Sequence, residues 1–270
     1  MLPVTLCGSL SRLASPLGRS MLEAGYRALG LSFAYVPFEV EDLAGAIVGM
    51  RALGIRGFGV SHPFKQEVMP LLDEIEGVAR RIGAVNTIVN DGKGRLVGHN
   101  TDWVGAVRAL EESRPLTGAT VLLLGAGGAA RAIAFGLRER AARTTIANRD
   151  LGKAEALAAE TGATAAPFDE TARAADYDVV INATTLGQSD GSVASPVPAD
   201  SLRAGQLVMD IVYKPVHTLL VKAAARCGAS VVHGGRMLLH QAAAQFELYT
   251  GRPAPLAVMD EALRRSIGEL

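Results

Sequence analysis

Short apolar runs alternate with stretches of helical apolar spacing along the chain, and this alternation predicts an α/β fold. In the first hundred residues the pattern predicts strands at 4–6, 33–38 and 58–60 and helices at 21–29, 43–53, 67–72 and 77–82. Two further strands, 87–90 and 95–98, flank Asn-Asp-Gly at 90–92, which is a strong hairpin signal. The N-terminal part is therefore expected to form a sheet of its own.

A second series of strands and helices follows a predicted helix over 104–112 and the turn residues Pro115 and Gly118. The predicted strands lie at 121–124, 144–147, 179–182, 207–211 and 230–233, and the predicted helices at 130–140, 216–226, 236–250 and 257–267. Strands that are separated by helices in this way are typical of a parallel sheet.

The sequence G-A-G-G-A-A at 125–130 joins the predicted strand 121–124 to the helix that follows it. Glycines at such a turn let the backbone approach a pyrophosphate, and the free N–H groups of the helix N-terminus favour an anion. Ala130 stands in the place of the third glycine of the dinucleotide-binding motif, so a tight turn in another doubly wound protein is the alternative interpretation. The surrounding strand–turn–helix–strand order favours a dinucleotide.

The end of the next strand indicates which dinucleotide binds. Arg149 and Asp150 follow that strand, and Lys153 comes one turn later. An acidic residue at this place binds the ribose 2′-OH of NAD, whereas an arginine can hold the 2′-phosphate of NADP. Arg149 therefore predicts NADP, and Asp150 is the feature that argues for NAD.

Composition excludes some partners. The chain has 270 residues with 27 Lys+Arg and 27 Asp+Glu, so neither nucleic acid nor an anionic membrane is expected as a partner. Cys7 and Cys227 are isolated and predict buried thiols rather than a disulfide. His62, His99 and His240 are too scattered for a metal site, and none is predicted. With no charged leader and no long apolar run, we expect a cytoplasmic protein.

Seven segments resemble the shikimate dehydrogenase family, in family order over nearly the whole chain. They are V-S-H-P-F-K at 60–65, G-A-V-N-T-I-V-N-D-G at 83–92, G-H-N-T-D at 98–102, G-A-G-G-A-A at 125–130, N-A-T-T-L-G at 182–187, D-I-V-Y-K-P at 210–215 and G-G-R-M-L-L-H-Q-A at 234–242. The resemblance implies an oxidoreductase that interconverts 3-dehydroshikimate and shikimate with NADP, in the shikimate pathway of aromatic amino acid biosynthesis. A small hydroxy acid is then the expected substrate, and we expect a monomer or a homodimer.

The resemblance also implies the domain organisation. Two α/β domains are expected: an N-terminal substrate-binding domain (1–103) and a Rossmann-type NADP-binding domain (104–236), separated by a cleft. The C-terminal helices (237–270) are expected to pack back on the first domain.

The roles of individual residues are likewise implied by the resemblance. Lys65 matches the catalytic lysine and Asp102 the aspartate that works with it and also binds substrate. The matching substrate-binding positions are Ser15, Ser61, Asn86, Tyr213 and Gln241. The matching cofactor contacts are Gly125, Ala126, Gly127, Gly128, Ala129, Asn148, Arg149, Lys153, Ile211 and Gly234.

Taken singly, several of these residues also have structural interpretations. Lys65 would be a solvated surface lysine, Asp102 a helix cap, Asn86 a turn residue and Gln241 a bridge between helices. Only their combination with the family pattern favours the catalytic interpretation.

Departures from the family pattern leave the physiological substrate open. Leu13 and Arg19 replace a serine and a histidine near the substrate carboxylate, while Gly59 replaces an asparagine, His62 an apolar residue and Trp103 a small one. These changes resemble the diverged shikimate-dehydrogenase-like branch. A quinate or related cyclitol dehydrogenase, or a weakly active NADP-binding paralogue, is the alternative function.

Overall fold

The computed structural model describes residues 3–188 and 194–268. The chain divides into two compact units, which we call the first unit (Met1–Thr101 together with Leu239–Leu270) and the second unit (Asp102–Leu238). Each unit contains a six-stranded sheet with helices, so the predicted α/β class with two sheets is confirmed.

The first unit is a mixed sheet. Its strands are β1 (Thr5–Ser11), β2 (Phe33–Glu39), β3 (Gly57–Val60), β4 (Glu74–Ile75), β5 (Thr87–Asn90) and β6 (Leu96–His99), and its first helices are α1 (Pro16–Ala28), α2 (Leu43–Ala52), α3 (Phe64–Glu67) and α4 (Gly77–Ile82). The strand order is β2-β1-β3-β5-β6-β4, in which β5 runs antiparallel to β3 and β6. Pro37 lies in the outer strand β2, where a missing N–H is tolerated.

The second unit is a parallel sheet. Its helices are α5 (Asp102–Glu111), α6 (Gly128–Glu139), α7 (Leu151–Thr161) and α8 (Leu219–Arg226), and its strands are β7 (Thr120–Leu124), β8 (Arg143–Asn148), β9 (Thr164–Pro167), β10 (Val179–Asn182), β11 (Leu207–Asp210) and β12 (Ser230–His233). The order β12-β11-β10-β7-β8-β9 is that of a Rossmann sheet, which reverses between β7 and β10. A ligand is therefore expected at the carboxyl ends of these two strands.

Two helices complete the chain. The long helix α9 (Gly234–Thr250) begins in the second unit, and from Leu239 onward it belongs to the first. The last helix, α10 (Leu256–Ile267), packs against α1 in the first unit. No helix in residues 3–188 or 194–268 has the length and apolar character that a membrane span requires.

Side chains that cap helix N-termini set where several helices begin. The Asp42 carboxylate accepts from the Gly45 N–H at 2.9 Å and starts α2, and Asp150 accepts from the Lys153 N–H at 3.3 Å and starts α7. Each bond satisfies a backbone donor that the first helical turn leaves without a partner.

Two predicted helices are wrong in their bounds. In place of a helix over 67–72, α3 covers Phe64–Glu67 and a 3₁₀ turn covers Met69–Leu71, because Pro70 lacks the N–H that a continuing α-helix needs. Lys65 consequently lies inside α3. The helix predicted at 216–226 begins only at Leu219, where the Thr218 hydroxyl caps it by accepting from the Val221 N–H at 3.2 Å.

Candidate active site

The first unit brings Ser61, Lys65 and Asn86 together through their backbones. Ser61 follows β3, and its N–H donates to the Leu10 carbonyl at 3.0 Å. The Lys65 carbonyl accepts from the Val85 N–H at 2.8 Å, and the Asn86 carbonyl accepts from the Val60 N–H at 2.7 Å. The two segments that the sequence predicts to carry Lys65 and Asn86 are therefore held side by side.

The Asn86 carboxamide is fixed by a buried network. Its Oδ1 accepts from the Thr101 N–H at 2.6 Å and from the Thr87 hydroxyl at 2.9 Å, while its Nδ2 donates to the Thr101 Oγ1 at 3.0 Å. Asn86, Thr87 and Thr101 are all buried. The orientation of this amide is set by Thr101, the residue that immediately precedes Asp102 in the G-H-N-T-D segment.

Sequence reasoning missed Gln245, which joins this network from α9. Its Nε2 donates to the Thr87 Oγ1 at 3.1 Å and lies 3.4 Å from the Asn86 carbonyl oxygen. The residue is buried, as expected for a polar group that has found partners. The available signal was its place one helical turn after Gln241, since residues four apart share a helix face.

The departure at Gly59 has a structural explanation. A Cβ at this position would lie 3.1 Å from the Tyr35 hydroxyl and 3.3 Å from the Gln245 Nε2. Tyr35 is buried, its hydroxyl is hydrogen-bonded to Ser9, and burial raises its pKa. Two polar groups thus occupy the space that a larger residue at 59 would need.

The residues near the predicted carboxylate pocket differ in whether they already have partners in the first unit. Ser15 is the N-cap of α1, with its hydroxyl 3.5 Å from the Leu17 nitrogen, and the neighbouring Leu13 side chain is 83% exposed. The Arg12 guanidinium lies 5.3 Å from the centre of the Phe64 ring, and Phe64 immediately precedes Lys65 in the sequence. Arg19 instead pairs with Glu23 along α1, at 3.1 Å.

The remaining predicted catalytic and substrate residues lie on three elements. Asp102 is the first residue of α5 and is buried. Tyr213 lies half-buried in the loop after β11, and Gln241 lies half-buried in α9. Asp102 and Tyr213 belong to the second unit and Gln241 to the first.

The glycine turn of the second unit fits a dinucleotide pyrophosphate. Gly125 has φ 107°, and a Cβ there would lie 2.9 Å from the Ala183 carbonyl oxygen, so only glycine suits this position. At Gly127 and Gly128 an added Cβ would meet no atom within 4 Å in the part of the chain that the structure describes. Gly127 is the N-cap of α6, and without a side chain it leaves the N–H groups of the first turn to a ligand. Ala126 lies in the turn, and Ala129 is the second residue of α6.

The end of β8 presents the residues predicted to recognise the 2′-phosphate. Arg149 is exposed, and the Asn148 Nδ2 donates to the Asp150 carbonyl at 2.9 Å. Asp150 caps α7, and its carboxylate lies 3.6 Å from the Lys153 ammonium. Asp150 thus has a structural role in the helix start, which accounts for an acidic residue beside Arg149.

Ile211 and Gly234 meet at the other side of the same sheet edge. A Cβ on Gly234 would lie 2.2 Å from the Ile211 carbonyl oxygen, so α9 starts against the loop that follows β11. This approach requires glycine at position 234. Predicted cofactor contacts thus lie at the carboxyl ends of β7, β8 and β11 within one unit.

In the part of the chain that the structure describes, the cysteines are free thiols and the metal-type side chains form no cluster. Cys7 is buried and Cys227 half-buried, and both thiols are free. Burial raises the pKa of Cys7 to about 12, which makes it an unreactive thiol at neutral pH. Within residues 3–188 and 194–268, no group of three or more His, Cys, Asp or Glu side chains is arranged to hold a metal ion.

Family comparisons match both units. The model of the shikimate dehydrogenase substrate binding domain matches residues 11–88, that of shikimate/quinate 5-dehydrogenase matches 108–192, and that of the shikimate 5′-dehydrogenase C-terminal domain matches 234–264. The shikimate dehydrogenase (NADP(+)) of Moorella thermoacetica is 42% identical over 267 residues, a match that covers 94% of this chain and 89% of that protein.

Solved structures also match nearly the whole chain. A shikimate 5-dehydrogenase from Thermus thermophilus in complex with NADP(H) and shikimate is 36% identical, with a TM-score of 0.88 over 98% of this chain and 100% of that one. A ligand-free 5-ketofructose reductase of Gluconobacter is also 36% identical, with a TM-score of 0.90 over 98% of this chain and 100% of that one. The resemblance drawn from the sequence motifs is confirmed, and the chain belongs to the shikimate dehydrogenase family.

Proposed function

We propose that this protein is an NADP-dependent shikimate dehydrogenase, which interconverts 3-dehydroshikimate and shikimate in the shikimate pathway. The observation that carries the proposal is the 42% identity with an NADP(+) shikimate dehydrogenase over 94% of the chain, with every motif of the predicted site in that range. The fit of the glycine turn to a pyrophosphate supports the cofactor independently of that identity.

For the chemistry we assign proton transfer to Lys65. NADP, when bound, supplies the hydride acceptor for alcohol oxidation and, when reduced, the hydride donor for ketone reduction. As the ketone is reduced its oxygen gains negative charge and needs a proton, and oxidation needs the same group as a base. Lys65 fills both roles in this proposal, and Asp102 acts with it by orienting the reacting hydroxyl.

For substrate binding we assign Ser15, Ser61, Asn86, Tyr213 and Gln241 as donors and acceptors to the ring hydroxyls and the carboxylate. The fixed amide of Asn86 supports this role, because a preset donor or acceptor loses less entropy when substrate binds. Gln241 lies on the same helix as Gln245, which anchors that helix to the Asn86 segment.

For the cofactor we assign the pyrophosphate to the turn from Gly125 to Ala129 and the 2′-phosphate to Arg149, with Asn148 and Lys153 beside it. Ile211 and Gly234 take the nicotinamide side, because the pyrophosphate turn lies between them and β8 in the sheet order. The two units then correspond to a substrate-binding domain and an NADP-binding domain. A cytoplasmic location and a monomeric or homodimeric state remain predictions.

Steady-state turnover of shikimate and quinate, each with NADP and with NAD, tests the proposal. The expected result is the highest kcat/KM for shikimate with NADP. A higher kcat/KM for quinate would establish the cyclitol dehydrogenase alternative. Binding of NADPH without turnover of either acid would establish a ligand-binding paralogue.

A further inference from the structure

Asp210 is a fully buried carboxylate to which neither the catalytic nor the binding assignment gives a role. It is the last residue of β11, and its side chain is 0% exposed. One carboxylate oxygen accepts from the Asn182 Nδ2 at 2.9 Å and from the Val212 N–H at 3.1 Å. The other accepts from the Thr218 hydroxyl at 2.7 Å. Three donors thus converge on one charge, one from the end of β10 and two from the segment that follows β11.

Asn182 extends this network into the loop that follows β10. Its Nδ2 also donates to the Leu186 carbonyl at 3.1 Å, and its Oδ1 accepts from the Thr184 N–H at 3.1 Å and the Thr184 hydroxyl at 2.7 Å. Residues 183–187 are therefore folded around the side chain that Asp210 holds. Asn182 is likewise fully buried.

Thr218 extends the network in the other direction. While its hydroxyl donates to Asp210, its oxygen also accepts from the Val221 N–H and caps α8. Residues 211–217 lie between Asp210 and Thr218, so the carboxylate closes this loop at both ends. The loop contains Ile211 and Tyr213, which we assign to cofactor and substrate.

A stability role alone does not explain a charge at this position. Burial raises the pKa of Asp210, because the charged form loses its hydration. A buried ionic group is often no more stabilising than an apolar side chain of similar volume. A carboxylate, however, can order several donors in a way that an apolar residue cannot.

We propose that Asp210 is a positioning residue, which ties the 183–187 loop to the 211–218 loop and so presents Ile211 and Tyr213 to the nicotinamide end of NADP and to the substrate. This inference rests on the proposed function. The adenosine end of the cofactor is assigned to Arg149 at the end of β8, on the other side of the switch point between β7 and β10. Asp210 should therefore affect one end of the cofactor and leave the other unchanged.

The test compares NADPH with adenosine 2′,5′-bisphosphate, a probe that carries the adenosine and 2′-phosphate but lacks the nicotinamide. Asp210→Asn has nearly the same shape, but its amide nitrogen faces donors. We expect kcat for shikimate to fall and the Kd for NADPH to rise, together lowering kcat/KM for NADP by about 10–100-fold, as for lost hydrogen bonds to a charge. The Kd for adenosine 2′,5′-bisphosphate should stay within about twofold of wild type, a change worth less than one hydrogen bond.

Asp178→Asn is the matched control, since Asp178 precedes β10 at the opposite edge of the same sheet and accepts from the Thr120 N–H at 2.9 Å. It should lower the melting temperature and leave kcat unchanged. Thr218→Val removes one donor to Asp210 and should give a smaller change in the same direction as Asp210→Asn. If Asp210→Asn does not fold, the same kcat and Kd measurements on Thr218→Val test the inference.

Wild-type kcat and NADPH affinity in a folded Asp210→Asn, or in Thr218→Val when the first does not fold, would overturn the inference. Equal losses of NADPH and of adenosine 2′,5′-bisphosphate would also overturn it, because the carboxylate would then support the whole unit. Failure of the proposed function is distinguishable, since wild-type protein would then not turn over shikimate with NADP.

Discussion

The Nε2 of Gln245 donates to the Oγ1 of Thr87 at 3.1 Å, although the two residues are 158 positions apart in the chain. Thr87 in turn donates to the Asn86 Oδ1, so Gln245 supports, through Thr87, a side chain that we assign to substrate binding. This relationship motivates the first prediction.

Gln245→Leu should raise KM for shikimate about five- to tenfold, the cost of one lost buried hydrogen bond. The KM for NADP should stay the same, because the contacts of Gln245 described above lie within the first unit. Steady-state kinetics with each substrate varied in turn checks both expectations. An increase in both KM values would indicate a general loss of folding and would contradict the positioning of Asn86.

Arg12→Ala should raise KM for shikimate about tenfold if its guanidinium pairs with the substrate carboxylate. The basis is its place at the Phe64 ring, beside the segment that carries Lys65. Arg19→Ala is the matched control, since Arg19 is engaged with Glu23 and should leave KM unchanged. Equal KM values for wild type and Arg12→Ala would leave the pocket to neutral donors such as Ser15.

Lys65→Ala should cut kcat by roughly 10²–10⁴, the usual range for loss of a general acid–base group, with little change in either KM. Lys93→Ala, at an exposed turn, should retain wild-type kcat. Asp102→Asn should also lower kcat. The double variant should lose less than the product of the single losses, because the two groups act together. Full turnover by Lys65→Ala would remove the lysine from the mechanism.

Arg149→Ala should weaken NADP binding by about 2–3 kcal/mol, the worth of hydrogen bonds to a charged group, and leave NAD binding nearly unchanged. The exposed guanidinium at the end of β8 is the reason for this expectation. Arg143→Ala, at the opposite end of the same strand, should alter neither affinity. Fluorescence titration with both reduced cofactors measures the difference, and equal losses for the two would mean that Arg149 supports the loop only.

Asp178→Ala should lower the free energy of unfolding by roughly 1–3 kcal/mol at pH 7, because it leaves the Thr120 N–H without its acceptor. Hydrogen bonds from the Thr120 N–H and hydroxyl, with help from Arg114 and Arg203, lower the pKa of Asp178 in the folded state. Its stabilisation is therefore complete above the unfolded pKa of about 4 and is lost as pH falls through the lower folded value. Urea unfolding at several pH values should show the difference in free energy of unfolding between wild type and variant shrinking below about pH 4. A difference that does not change with pH would contradict a stabilising role of the ionised Asp178 carboxylate.

Local patterns in the sequence were sufficient for the element types, the glycine turn and the candidate chemistry. The strand–turn–helix pattern around 125–130 and Arg149 at the end of the next strand depend on neighbouring residues only, so the chain itself shows them. Helix bounds were predicted wrongly where a single residue overrides the apolar periodicity, as Pro70 does after α3 and Thr218 does before α8. In both places backbone hydrogen bonding decides the bound, and apolar spacing does not report it.

Only the tertiary structure could show which distant polar groups meet. Gln245 reaches Thr87, Asp210 collects Asn182 and Thr218, and Tyr35 and Gln245 occupy the space beside Gly59. None of these pairs has a spacing that predicts contact. Asp210 meets Asn182 because β10 and β11 become neighbours, it meets Thr218 through the path of the loop after β11, and Gln245 meets Thr87 through the packing of α9. The sequence by itself supplied the candidate residues for the proposed chemistry. Burial and sheet order decided which of them are held in place, because a buried donor or acceptor must find its partner wherever the fold provides one.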